Sequence, residues 1–320
     1  MEFDCRSVAT EQIDRNDTTF RLEVRDPIDT DSLELGMLQL VHPPILLPTA
    51  ERHIIISGFD VVLAGLSKDR KAIRCRVLPA GTPFLECARI AIACRASRNR
   101  MDITEAGRAV ALLCRFSEDV DRVPDLANGC GMEVNAVMVE KLLNVNQMPD
   151  HLKQGLSEGS IALPVALMLA DDGNDEKSKR LSDLFQKLGM SLNRQRELLE
   201  WVNAICRREN LTVSQLLDTP DLTVIWNDGD LDHRQKASKV RSYLRQRRFP
   251  EMTRFELQYH AILKSLKLKK GTQLLPPAHF EGNTYCLKIE FDSHATLLEK
   301  AKELDNIINS KEIRNIWKLM

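Results

Sequence analysis

HIIISGFDVVLAGLSKDRKAIRCRVL, residues 53–78, reads as a strand, a glycine turn, a short helix, a basic turn and another strand. The apolar run 53–57 and the alternating run 73–77 are typical of strands with one or both faces buried. The turn SGFD, at 57–60, lies at a strand-to-helix junction, where glycine lets backbone N–H groups approach a phosphate. Asp60, however, puts a negative charge where a phosphate needs a cation. The stretch therefore predicts a compact α/β unit and leaves open what its turn holds.

The composition predicts a mainly helical, globular protein with more than one domain. The chain has 320 residues, of which 28% are charged and only 5% aromatic, and this length exceeds what one small core needs. No apolar run approaches the roughly 20 residues that span a bilayer, and the polar N-terminus does not resemble a signal peptide. We therefore expect a cytoplasmic protein with no membrane partner. The eight cysteines form no C-x-x-C pair, which favours reduced thiols over a metal site.

Working outward from the opening stretch, the sequence predicts an α+β fold that is mainly α. A further strand at 45–47 and a short helix capped by Ser32 complete a small α/β domain, and periodic helical runs follow it. A strand at 284–291 and a last helix form a small αβ C-terminal ending. The predicted organisation is a polar arm (1–30), the α/β domain (31–95), a helical domain (96–217), a linker (218–232) and a basic helical and αβ domain (233–320).

The stretch VPDLANGCGMEVNAVMVEKLL, residues 123–143, has the layout of a helix-turn-helix. Ala127 is small where two helices would cross, and Gly131 supplies the turn. Val137 and Leu142 are expected to face inward from the second helix. Such a motif offers the exposed side of its second helix to the DNA major groove, although any helical hairpin with a glycine turn has a similar pattern.

Three residues of the second helix are candidates for DNA contact: Asn135, Met138 and Lys141. Amide and ammonium groups donate to base edges and phosphates. Glu133 and Glu140 on the same helix would repel phosphates, so packing without DNA contact remains an alternative.

Charge is unevenly distributed along the chain. Residues 1–60 carry 12 Asp/Glu against 5 Lys/Arg, whereas residues 234–270 carry 12 Lys/Arg against 2 Glu. A helix predicted at 233–248 carries most of this excess and can neutralise several phosphates. The alternative is a solvated basic face, or one docked on acids of its own chain. The candidate DNA-binding residues there are Arg234, Lys236, Lys239, Arg241, Arg245, Arg247 and Arg248.

The order of these segments resembles the ParB partition family, also called ParB/Spo0J or KorB-like. The resemblance covers about residues 31–210 and rests on five stretches. They are LELGMLQLVHPPILLP, ISGFDVVLAG, NRMDITEAGRAVALL, the helix-turn-helix, and MPDHLKQGLSEGSIALPVALML.

That family's N-terminal unit binds CTP and Mg²⁺ between two motifs and works as a DNA-sliding clamp. The first, G-E-R-R-x-x-A, reads GFDVVLA at 58–64, so Gly58 is kept while the acid and both arginines are replaced. The second, E-N-x-x-R-x-D-L, reads ASRNRMDI at 96–103, so Arg100 and Asp102 are kept while the acid and amide are not. Triphosphate and metal binding need cations and oxygen ligands. We therefore interpret Gly58 and Arg100 as a degenerate nucleotide site, with no cofactor expected and CTP with Mg²⁺ as the alternative.

The resemblance implies a DNA-binding protein in bacterial chromosome or plasmid partition, or in a related nucleoid or transcription role. It also implies double-stranded DNA and a ParA-type ATPase as partners. The apolar stripe within 284–308 predicts a homodimer. No catalytic constellation is recognisable. The alternatives are a CTP-hydrolysing clamp with non-standard ligands, and an interaction adaptor in which both sites have decayed.

Overall fold

The structure is a computed structural model that describes residues 3–23, 41–277, 282 and 284–316. The chain divides into two compact units, Met1–Gln186 and Lys187–Met320, called here the N-terminal and the C-terminal unit. Helices predominate in both. The N-terminal unit contains a five-stranded sheet and the C-terminal unit a two-stranded sheet, so the predicted α+β, mainly α class is confirmed.

The sheet of the N-terminal unit is mixed. Its strand order is β1-β5-β3-β4-β2. β1 is antiparallel to β5 and β3 is antiparallel to β4, whereas β3 is parallel to β5 and β2 to β4. The strands are β1 Asp4–Ala9, β2 Ile13–Asp14, β3 Ile45–Pro48, β4 His53–Ser57 and β5 Ala72–Val77. The opening stretch thus supplies the two strands on either side of β3.

Helix α1, Phe59–Ser67, joins β4 to β5 and covers one face of this sheet. Its Phe59 and Val62 pack in one core cluster with Leu46, Ile55 and Ile73 of the strands. The opposite face packs against helices, because alternate strand residues point to opposite sides of a sheet. The strand and helix predicted on either side of the turn at 57–60 are therefore confirmed.

Two long helices, α2 Phe84–Arg98 and α3 Ile103–Phe116, cover the second face. Strand residues Ile54 and Ile56 share a core cluster with Ile92 of α2 and with Leu113 of α3. The remaining helices of the unit follow in the predicted order. They are α4 Val123–Gly129, α5 Ala136–Gln147, α6 Asp150–Ser157, α7 Leu163–Asp171 and α8 Asp175–Leu188, which ends at the boundary between the units.

The C-terminal unit is a helical assembly followed by a hairpin and two helices. Its elements are α9 Leu192–Glu209, α10 Val213–Leu217, α11 Pro220–Asn227, α12 His233–Arg248, α13 Pro250–Leu266, β6 Thr272–Leu275, β7 Cys286–Ile289, α14 His294–Asn309 and α15 Lys311–Ile316. Helix α12 packs against α9, and its Val240 and Leu244 are fully buried. These two residues form a narrow apolar seam along an otherwise basic helix.

The N-terminal segment differs from the predicted polar arm. β1 and β2 are strands of the sheet, and Phe20 and Leu22 belong to the core. β1 is an edge strand whose first four residues are exposed, so it lacks the apolar alternation by which strands are recognised. The interpretation of 4–14 as an arm is therefore wrong, because pairing through the backbone leaves little trace in side-chain pattern.

Two further segments differ from expectation. The stretch predicted as a linker is helical at α11, where Leu222 is fully buried. The predicted strand at 284–291 is shorter, Cys286–Ile289, and pairs with β6, which the sequence did not indicate. The helix expected after Ser32 lies outside the described residues.

Candidate nucleic-acid interface

Helices α4 and α5 form a hairpin, residues 123–147, within the N-terminal unit. Gly131 in its turn has a φ of +89°, a left-handed conformation that glycine adopts without steric cost. Ala127 is fully buried and shares a core cluster with Val139 and Leu142 of α5. The hairpin thus has the two-helix layout that the sequence predicted.

Asn128 fixes the turn of this hairpin. Its Nδ2 donates to the carbonyl oxygen of Val134 at 3.0 Å, and its Oδ1 accepts from the Val134 N–H at 2.9 Å. One side-chain amide therefore satisfies both backbone groups of a single residue. Sequence reasoning missed this role, although Asn-Gly at 128–129 is a turn signal that could have indicated it.

The side chain of Asn135 caps the N-terminus of α5. Its Oδ1 accepts a hydrogen bond from the Met138 N–H at 2.8 Å, and the cap does not use the side-chain amide N–H groups. Lys141, a turn further on, is exposed. Met138 is half-buried, and its side chain lines a cavity.

One orientation predicted for α5 is wrong. Val137 does not face inward but is 60% exposed. The buried positions are Val139, Leu142 and Val145. Helix α5 begins at Ala136, and successive spacings of three residues from Val139 define its inner face.

The hairpin is poor in positive charge. Between residues 123 and 147 Lys141 is the only Lys or Arg, against Asp125, Glu133 and Glu140. Both glutamates are exposed. A surface with this charge balance gains little net attraction from the phosphate backbone of DNA, so strong attraction to the backbone would need cations elsewhere in the chain.

The turn at Gly58 does not have the features of a triphosphate site. Gly58 is buried with a φ of +86°, and a Cβ there would lie 2.9 Å from the Cα of Pro44. Glycine is thus required by the close approach of two backbone segments. Asp60, in the first turn of α1, pairs with Arg98 of α2 at 3.2 Å. The helix terminus already has an acidic group beside it, and these residues do not fit CTP with Mg²⁺.

Arg100 lies in a different place. It is exposed and lines a cavity of about 750 Å³ together with Asn99, Met101, Glu133, Val134 and Met138, among others. No residue of the 58–64 motif lines this cavity. The structure therefore does not bring the two predicted nucleotide-binding residues, Gly58 and Arg100, into one described pocket.

Asp102, which matches the second family motif, caps helix α3. It accepts hydrogen bonds from the N–H groups of Thr104 and Glu105 at 2.8 and 2.9 Å, and the Glu105 side chain accepts from the Asp102 N–H at 3.0 Å. Ser157 of α6 donates to the other carboxylate oxygen at 2.9 Å. Burial opposes ionisation of Asp102, but these hydrogen bonds, with that of the Thr104 hydroxyl, lower its pKa. Asp102 is therefore committed to local structure.

The arginines of α12 bind acids of their own unit. Arg241 contacts Glu197 of α9 at 2.6 and 2.9 Å, and Arg245 contacts Glu256 of α13 at 2.9 and 2.7 Å. Arg247 contacts Glu209 of α9 at 2.9 and 2.6 Å. These pairs join α12 to the helices on either side of it. The structure has the alternative arrangement, in which the three arginines dock on acids of their own chain, and DNA contact by Arg241, Arg245 and Arg247 stays a prediction.

The pairs also shift the titration of their acids. The hydrogen bond from Arg247 lowers the pKa of Glu209 below its ordinary value, with Arg208 contributing further. The hydrogen bond from Arg245 likewise lowers the pKa of Glu256. Both glutamates are therefore held in the charged form that balances Arg247 and Arg245.

Four other predicted cations of α12 have weaker ties. The Nζ of Lys236 donates to the carbonyl oxygen of Trp226 at 3.1 Å, and the Nζ of Lys239 lies 3.8 Å from a carboxylate oxygen of Asp228. Arg248 stacks on the ring of Phe249 at 4.7 Å, and Arg234 is exposed. DNA contact by these four residues remains a prediction.

Within the described part of the chain, no group of three or more His, Cys, Asp or Glu is arranged to hold a metal ion. Among the described helices, none combines the length and the hydropathy needed to traverse a bilayer.

The chain resembles solved structures of the chromosome-partitioning protein ParB from Caulobacter crescentus. One, a C-terminally truncated form complexed to the centromeric parS site, is 18% identical with a TM-score of 0.34, covering 60% of this chain and 97% of that one. Another, complexed with CTP-γ-S, is 16% identical with a TM-score of 0.24, covering 57% and 98%. No family model matches the sequence, and no curated protein matches it.

Both solved structures belong to the family that the sequence motifs resemble. With TM-scores below 0.5, neither carries an argument about what this chain binds.

Proposed function

We propose that this chain is a double-stranded DNA-binding protein of the ParB type. The observation that carries the proposal is the α4–α5 hairpin, in which Asn128 fixes the turn and Asn135 opens an exposed helix. Asn135 presents amide donors at the start of α5, and Lys141 presents an ammonium group further along the helix. Helix-turn-helix proteins use donors of this kind to contact bases and phosphates in the major groove.

The proposed biological role rests on the resemblance of the sequence motifs to the ParB partition family. We place the chain in partition of a bacterial chromosome or plasmid, or in a related nucleoid or transcription role, in association with the nucleoid. A ParA-type ATPase is the partner expected of such a protein. Within the described chain α14 exposes Leu297, Leu298 and Ile308, and we propose that this stripe forms a homodimer.

DNA binding in this proposal does not use an effective CTP site. Support comes from Asp60, which is paired with Arg98, and from Asp102, which is committed to capping α3. The alternative of a CTP-hydrolysing clamp needs cations around Gly58, where the nearest described charge pair is already satisfied. Titration calorimetry with CTP and Mg²⁺ is expected to give no saturating heat, and a saturating signal would contradict this part.

The test of DNA binding is filter binding to a radiolabelled duplex of mixed sequence, between about 50 and 200 mM salt. We expect salt-dependent binding that Lys141→Glu weakens at least tenfold at the lower salt, because a phosphate contact becomes a repulsion. Asn135→Ser keeps an N-cap oxygen while removing the amide donors, and is expected to reduce preference among duplex sequences.

The control is Lys264→Glu, which makes the same change in charge at an exposed position of α13. It is expected to change affinity less than twofold. The proposal fails when the wild-type chain does not bind duplex DNA at low salt, or when Lys141→Glu and Lys264→Glu bind equally.

A further inference from the structure

Strand β5 presents two arginines on an exposed side of the sheet. Along the strand Ile73 and Cys75 are at most 1% exposed, whereas Arg74 and Arg76 between and after them are exposed. The alternation directs the arginines away from the core cluster under α1. Arg70 and Lys71, in the turn before the strand, are also exposed. These four residues are called the β5 basic face.

The β5 basic face has no acidic counterpart in the described residues. None of its four cations lies within 4.0 Å of a carboxylate oxygen there, in contrast to the arginines of α12. Across the sheet, Arg74 is in register with Ser7 and Arg76 with Cys5. The Arg76 guanidinium lies 6.0 Å from the centre of the Phe3 ring. The neighbours of the arginines are therefore a hydroxyl and a thiol of β1 and the ring of Phe3, the residue before β1.

The β5 basic face supplies positive charge that the α4–α5 hairpin of the N-terminal unit lacks. The α4–α5 hairpin carries one lysine against three acids, and Arg241, Arg245 and Arg247 of α12 are already bound to glutamates. Residues 68–76 carry five Lys or Arg against Asp69 alone. Cations are thus concentrated in this stretch of the N-terminal unit. Among the described residues, no acidic side chain pairs with Arg70, Lys71, Arg74 or Arg76.

We propose that the β5 basic face binds the phosphate backbone of double-stranded DNA. Arg74 and Arg76 are two positions apart on a strand, so their Cα atoms are separated by about 6.7 Å. Each guanidinium offers a planar fork that binds a phosphate through two parallel hydrogen bonds. Such contacts add affinity without reading sequence. The inference rests on the proposed DNA-binding function and assigns that function a second contact surface.

The experiment compares two double variants in filter binding to the same mixed-sequence duplex. Arg74→Gln with Arg76→Gln removes two positive charges from the face. Arg194→Gln with Arg196→Gln removes two from exposed positions of α9 in the C-terminal unit and controls for net charge. The first variant is expected to lose at least tenfold in affinity at low salt. The slope of log affinity against log salt should fall by about 1.8, since each lost contact removes about 0.9.

The outcomes separate the two proposals. Failure of the wild-type chain to bind overturns the DNA-binding function itself. Binding by the wild type with an unchanged slope for the β5 variant, or with the same loss in the α9 variant, overturns the β5 face and leaves the DNA-binding function standing.

A second readout needs no change in the arginines. Cys5 is exposed beside Arg76, and Cys286 is the other exposed thiol. In a Cys286→Ser chain, saturating duplex is expected to slow alkylation of Cys5 at least fivefold, measured by mass spectrometry. An unchanged alkylation rate with DNA bound overturns the inference, even where the arginine variants fail to fold.

Discussion

At the scale of single residues, Asp102 shows that a residue matching a family motif can have a purely structural role in the fold. The family motif suggests a role near a bound nucleotide, whereas the structure surrounds both carboxylate oxygens with donors from α3 and from Ser157. Next to it, Arg95 holds Glu105 through two hydrogen bonds of 3.2 and 2.5 Å. Together they tie the end of α2 to the start of α3.

Asp102→Ala is expected to lower the free energy of unfolding by about 1 kcal/mol, the usual cost of losing an N-cap. Asp102→Asn keeps one capping oxygen and should cost less. Urea unfolding followed by far-UV circular dichroism measures both. Equal stability of the alanine variant and the wild type would show that the cap contributes nothing.

The Asp102 carboxylate also makes the free energy of unfolding depend on pH, in a direction that its pKa shift fixes. Its pKa is lowered in the folded chain, so its contribution is complete above the unfolded value of about 3.9. The contribution is lost as the pH falls through the lower, folded pKa. The difference in stability between wild type and Asp102→Ala should therefore narrow on acidification below about pH 4.

At the scale of elements, helix α12 has the composition of a DNA-binding helix and the contacts of a structural one. Its partners Glu197 and Glu209 lie on α9, 44 and 38 residues away in sequence. Arg208 adds a bond from its guanidinium to the carbonyl oxygen of Arg248 at 3.1 Å, at the C-terminus of α12. Cations near the end of a helix also interact favourably with its dipole.

Arg247→Gln is expected to destabilise the C-terminal unit by up to about 1 kcal/mol, the range of partly exposed ion pairs. Arg247 lowers the pKa of Glu209, so the pair stabilises the fold above the unfolded glutamate pKa of about 4.3. This stabilisation disappears as the pH falls through the folded pKa. In thermal unfolding, the melting temperature of Arg247→Gln should lie below that of the wild type at neutral pH and close to it at acidic pH.

Arg234→Gln, on the same helix but exposed, is the matched control and should leave the melting temperature unchanged. If the melting temperature of Arg247→Gln stayed equally far below that of the wild type at acidic pH, the role assigned to Glu209 would be contradicted.

Much of the element order was predictable, because helical periodicity is carried by side chains close together in sequence. Helix α12 has the bounds predicted for it, 233–248, and α1 lies between the two predicted strands of the opening stretch. β1 was not predictable, since its exposed residues show no alternation and its pairing to β5 is a backbone property. The partners of Arg241 and Arg247 were not predictable either, because a cation in the sequence does not indicate which distant acid faces it. For the same reason the sequence did not distinguish Arg74 and Arg76, which have no acidic partner among the described residues, from the paired arginines of α12.

At the scale of the whole molecule, the described chain leaves an apolar stripe uncovered on α14. Leu297 and Ile308 lie eleven residues apart, a spacing that returns to the same side of a helix, with Ala301 and Leu304 between them. Leu297 is 38% and Ile308 is 58% exposed. Packing this stripe against a second copy would remove it from water.

Leu297→Glu combined with Ile308→Glu is expected to give a monomer at concentrations where the wild type is a dimer. Size-exclusion chromatography with light scattering measures this over a range of concentrations. Asn306→Glu with Asn309→Glu, at exposed polar positions, is the control for added charge and should remain dimeric. A wild-type chain that is monomeric throughout would contradict the homodimer.

The division into two units also separates the chromophores. All three tryptophans, at 201, 226 and 317, and all three tyrosines, at 243, 259 and 285, belong to Lys187–Met320. Intrinsic emission excited in the near ultraviolet therefore reports on that half alone, and the half with the sheet and the hairpin is silent. Unfolding of the C-terminal unit can therefore be followed by itself, without attaching a label.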